Sequence, residues 1–123
     1  MDTRRYLVLF RNQPTQSSPP SPEQMQAMFA AYRTWMEQFK AEILDLGDRL
    51  RPDGRVLRAA GVVDGPFVEG KEVIGGYMIV GAADMEGALA VVRACPASQV
   101  PGGSMEIREL AGATMERRPE PSV

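Results

Sequence analysis

The stretch Val63-Asp64-Gly65-Pro66-Phe67-Val68-Glu69-Gly70-Lys71-Glu72-Val73-Ile74-Gly75-Gly76-Tyr77 decides how this chain folds. It opens on turn chemistry, because glycine reaches dihedrals closed to other residues while proline fixes φ and withdraws a backbone donor. It then passes into a β-rich run, and the spacing predicts a strand over Val73 to Val80. Gly75-Gly76 weaken a strand but allow a bulge or the close approach of another group.

Upstream, Arg51-Pro52-Asp53-Gly54 is a second turn signal, between Leu50 and Val56-Leu57. It predicts a hairpin whose second arm runs to about Ala60. Before it, Ser21-Pro22-Glu23-Gln24 is a helix start: Ser21 caps free amides, Pro22 suits the first helical position and Gln24 completes a capping box. Met25, Met28, Phe29, Tyr32, Met36, Phe39, Ile43 and Leu46 recur at spacings of three and four, which predicts one long helix stopped at Gly47. Asn12 to Pro20 has no apolar periodicity and reads as an exposed loop, and Tyr6 to Phe10 reads as a buried first strand.

Downstream, Asp84 caps a shorter helix with Met85, Ala88, Leu89 and Val92 on one side, ended at Cys95-Pro96. Gly102-Gly103 turns the chain into Met105-Glu106-Ile107-Arg108, whose alternation predicts a half-buried strand with Glu106 and Arg108 on one side. The order is strand, helix, strand pair, helix, strand: an α+β, ferredoxin-like β-α-β-β-α-β fold with both helices on one face of an antiparallel sheet. The open face then calls for a partner, and a face-to-face homodimer supplies one. One domain over residues 1–111 and a C-terminal tail over 112–123 complete the division.

Composition narrows the functions. Fourteen basic and sixteen acidic residues give a net charge of -2, without the basic excess that binding to DNA or RNA demands. A single cysteine rules out an intramolecular disulfide and a thiolate metal cluster, and no metal or cofactor is expected. No apolar run approaches the roughly 20 residues that span a bilayer, so no membrane role is expected and the reading is a cytoplasmic protein. The chain contains no histidine, which removes the usual general base at neutral pH.

The Val63 to Tyr77 segment resembles the signature of YCII-related proteins of the DGPF type. The Asp84 helix start, Cys95-Pro96, the glycine turn and Met105 to Arg108 follow the same order, as do the first strand, the long helix and Gly47-Asp48-Arg49-Leu50, so the likeness runs over about residues 4 to 110. The resemblance implies a dimeric α+β barrel, two ferredoxin-like sheets packed face to face, with a cleft near the DGPF segment of a bacterial protein. It also implies a histidine and aspartate pair in related members. Asp64 stands at the aspartate, but the histidine is missing, so that mechanism does not carry over. A link to extracytoplasmic-function sigma factors is a further implication of the family.

Asp64 is the candidate catalytic residue, as acid/base or polar anchor, because partial shielding raises a carboxyl pKa toward useful values. The alternative is structural: in Asp-Gly-Pro the carboxylate can bond neighbouring backbone amides. Glu69, Lys71, Glu72, Tyr77 and Arg108 are the candidate ligand-binding residues, each weighed against a plainer role as a solvated ion pair or a dimer-interface contact. Cys95 sits at a helix end, where the dipole disfavours a thiolate, so it is not a candidate nucleophile. Two functions stay open: a binding protein or weak enzyme that holds a small polar molecule in a dimer cleft, and an accessory dimer acting through a sigma factor.

Overall fold

A computed structural model of the chain describes residues 3–12, 20–66, 68–69 and 72–114. Its main sheet is antiparallel, with strands β1 (Arg4–Asn12), β2 (Ile43–Arg49), β6 (Glu72–Ala82) and β7 (Ser104–Glu109) in the order β2-β6-β1-β7, and β5 (Val68–Glu69) paired to the start of β6. Helices α1 (Pro22–Gln38) and α2 (Met85–Arg93) are the crossovers. This is the ferredoxin-like arrangement. Strands β3 (Gly54–Arg58) and β4 (Gly61–Gly65) form a separate two-stranded sheet inserted between β2 and β5.

The core follows from the two-residue period of the central strands. Tyr6 and Val8 of β1 and Met78 and Val80 of β6 are buried together with Trp35 of α1 and Ala88, Val91 and Val92 of α2. Met105 and Ile107 of β7 pack against them. The indole Nε1 of Trp35 donates to the carbonyl of Val91 at 3.0 Å, tying the two helices together. Each helix begins as its sequence dictates: Ser21 and Gln24 form the reciprocal capping box, and Asp84 accepts from the Gly87 amide at 2.9 Å.

The long helix is shorter than the periodicity predicts. It stops at Gln38, and Ile43 to Leu46, expected as its last turn, belong instead to the strand β2. Pairing with β6 satisfies a row of backbone groups and carries Ile43 onto the core, which outweighs a continued helical stripe. Gly47 does adopt a left-handed backbone, φ 71°, but within an irregular stretch of β2 and not as a helix stop. In the first half of α1, Met25, Met28 and Phe29 are exposed.

The hairpin is likewise displaced. Arg51 to Asp53 link β2 to β3, and the reversal comes at Ala59-Ala60, so that Val56 faces Val63 and Arg55 faces Asp64. Gly75 and Gly76 behave as read. The β1 to β6 register skips Gly75, and a side chain there would strike the Asn12 amide, while one at Gly76 would sit 3.1 Å from the Asp48 carbonyl. The segment Asn12 to Pro20 read as a loop lies mostly outside the described residues, although Asn12 itself closes β1. Within the expected tail, Ala111–Thr114 forms a single 3₁₀ turn.

Gly47 yields a sharp test, since a Cβ at that position would overlap the Tyr77 carbonyl and the φ is unfavourable for any other residue. Gly47→Ala is expected to destabilise the fold by at least ~3 kcal/mol in urea titrations. A change under ~1 kcal/mol would show that β2 does not lie against β6 in this way.

Candidate functional site

The side of the main sheet that faces away from the helices holds the remaining half of each strand. Leu7 and Leu9 of β1 and Tyr77 and Ile79 of β6 stand there, half-buried by their neighbours and covered by neither helix. Cross-strand partners in an antiparallel ladder share a face, so Glu106, opposite Leu9, and Arg108, opposite Leu7, stand on it too. Two predicted ligand-binding residues, Tyr77 and Arg108, are therefore on one surface. They lie in adjacent rows, Tyr77 with Leu9 and Glu106, Arg108 with Leu7 and Ile79.

The charges on this face are sorted. Glu106 is not paired with Arg108. Its Oε1 instead accepts from Nη2 of Arg11 at 2.9 Å and from Nε at 3.2 Å. These partly buried, charge-assisted bonds hold the carboxylate in place and neutralise it. Arg108 is exposed, and among the described residues no carboxylate reaches it. A guanidinium beside the aliphatic surface of Leu7 and Ile79 is suited to an anionic group on a partly apolar body. Arg11 escapes the sequence reading because the alternation Leu7, Leu9, Arg11 runs past the apolar block that marked the first strand.

Asp64 sits elsewhere. It lies near the base of the β3–β4 hairpin with its side chain 93% exposed, and its Oδ1 is 3.6 Å from Nε of Arg55. Both expectations for it are revised in the single chain. The carboxylate is not shielded, and it faces a cross-strand arginine where turn chemistry would give it backbone amides. A pair this exposed contributes little stability. Glu69 and Glu72 are opposite each other in the short β5–β6 ladder, directly after the hairpin, while Lys71 lies outside the described residues. The hairpin also exposes Leu57, Val62 and Val63. An isolated two-stranded sheet with apolar residues in water is marginal by itself.

Cys95 is buried. Burial pushes its thiol pKa up, against the smaller opposing effects of the Ala97 amide and the Tyr32 hydroxyl, so it stays a thiol and not a nucleophile. Tyr32, packed edge-on to Trp35, is pushed up to about 12 by burial and by its contact with Cys95, with Arg49 acting in the opposite sense. Desolvation, more than the helix dipole, decides the state of the thiol. Among the described residues no group of three histidine, cysteine, aspartate or glutamate side chains converges on a point that could hold a metal, and no helix is long and apolar enough to cross a membrane.

Comparison with protein-family models places a match to the YCII-related domain over residues 4–112. No curated protein matches the chain.

Both raised groups are neutral acids favoured by the fold, so their contribution to stability is complete below their ordinary values and is lost as the pH climbs through the folded values. Stability is expected to fall as the pH rises past the thiol value of 9.0 and on through the phenol range from 10.0 to about 12. In an ultraviolet titration, Tyr32→Phe should lose the ionisation near 12. A late ionisation that persists in this variant would contradict the assignment.

Proposed function

The chain belongs to the YCII-related domain family, and we propose that it acts as a pair of copies that enclose a small polar molecule between their open sheet faces. The observation that supports this reading is the uncovered patch of Leu7, Leu9, Tyr77 and Ile79 at the centre of the sheet. Apolar surface of this kind in the middle of a small domain is costly in water, and a second sheet packed about 10 Å away would remove it. Such packing also creates an enclosed space lined by each copy's Tyr77 and Arg108.

In this reading Arg108 anchors an anionic group and Tyr77 donates its phenol hydroxyl. In this proposal Asp64, Glu69, Lys71 and Glu72 supply further polar contacts to the bound molecule. Any proton transfer must rest on groups other than histidine, such as these carboxylates or the Tyr77 phenol, since the chain has no histidine. Among the described residues no surface feature favours the accessory, sigma-factor-linked role over ligand binding.

Native mass spectrometry of the purified chain tests the proposal. The expected result is a two-copy species that retains a small molecule, lost on Asp64→Asn or Arg108→Gln with the melting temperature within about 2 °C of the parent, as befits exposed side chains. A two-copy species that retains the same mass in both variants would remove these residues from the site. A ligand-free single chain would remove the proposal.

A further inference from the structure

We infer that the cleft between α2 and the outer strand β7 is a binding site for a small carboxylate with a short aliphatic body. It lies on the helix side of the sheet, behind the open face, and needs no second copy.

The cleft has a volume of about 290 Å³, room for about ten water-sized groups. Its floor is the helix side of β7, where Met105 and Ile107 stand two residues apart, packed against the core yet only half-buried. Its wall is α2, on which Leu89, Val92 and Arg93 are three and four residues apart and so share a helix face. The 3₁₀ turn Pro96–Gln99 borders it beyond the last turn of that helix. The space exists because β7 is the outermost strand on its side and α2 covers it only in part.

The polar groups gather where the helix ends. Ser98 Oγ donates to the Arg93 carbonyl at 3.0 Å, and Gln99 Nε2 donates to Ser98 Oγ at 3.2 Å, which ties the Gln99 amide to the last turn of α2. The other late carbonyls of the helix are met as well: Ala90 and Val92 by the Ala94 amide, Val92 also by that of Cys95, and Val91 by the Trp35 indole. The Arg93 guanidinium is thus not spent on capping the helix, and among the described residues no carboxylate pairs with it. Gln99 keeps a second amide hydrogen for a ligand.

One guanidinium at the edge of an apolar floor specifies the ligand. Arg93 balances a single negative charge, and its paired N–H donors match a carboxylate. A phosphate monoester carries about two charges and would be left undercompensated. A cation would meet Arg93 as a like charge. Leu89, Val92, Met105 and Ile107 give an aliphatic body a surface on which to leave water, and the volume stands at the small end of ligand sites, which limits that body to a few carbons.

Hexanoate titrated into the isotope-labelled full chain, followed through the amide chemical shifts, tests the inference, with hexanol and hexylamine as neutral and cationic probes of the same length. The expected result is saturable shifts among residues 89–99 and 103–107, with hexanoate bound about tenfold or more tightly than either other probe. Arg93→Gln, at an exposed position, should erase that preference while hexanol binds as before, and Arg93→Lys should retain part of it. Shifts confined to the open face around Leu7, Ile79 and Arg108 would overturn the cleft and leave the sheet-face reading intact. Equal affinity for the three probes, no saturable hexanoate binding up to about 10 mM, or an Arg93→Gln variant that binds hexanoate as the parent does would each overturn the inference.

Discussion

Alternation along β1 and β6 is the constraint on which the rest of the molecule depends. Tyr6, Val8, Met78 and Val80 point one way and are sealed by Trp35 and the apolar side of α2. The same period obliges Leu7, Leu9, Tyr77 and Ile79 to point the other way, where among the described residues no third layer covers them. Both crossovers in this topology fall on a single face, so no rotation of a helix can cover the second. A fold that buries one face this well therefore creates an apolar surface on the other.

That surface is edged with charge. Arg11 holds Glu106 through two hydrogen bonds, which leaves Arg108 as the cation of the central rows, while Asp45 and Asp48 line the opposite edge. The hairpin that bears Asp64 stands apart from the main sheet and exposes Leu57, Val62 and Val63. Chemistry that relies on a shielded carboxylate requires something outside the single chain to supply the shielding.

Much of the fold was legible in the sequence wherever short-range chemistry decides structure. Ser21 and Asp84 announce their helices, Gly75 marks the bulge beside β1, and the alternation from Met105 to Arg108 gives the correct buried side of β7. The failures share one cause. Ile43 and Leu46 continue a helical spacing that the sheet overrules, because β6 offers backbone partners that a local pattern does not reveal. Misassigning that segment concealed that Asp45 is set opposite Ile79 in the sheet. Arg11 was missed in the same manner, since its partner lies 95 residues away. For Asp64, the neighbour Arg55 is fixed by a hairpin register that turns at Ala59-Ala60 and not at Pro52-Asp53.

The account stands or falls on whether the uncovered face meets another copy in solution. Sedimentation equilibrium at micromolar concentration measures this directly. A mass of twice 13.5 kDa, giving way to the single-chain mass when Ile79 is replaced by a charged residue that leaves the fold intact, is the predicted result. A mass of 13.5 kDa across the full concentration range would contradict it.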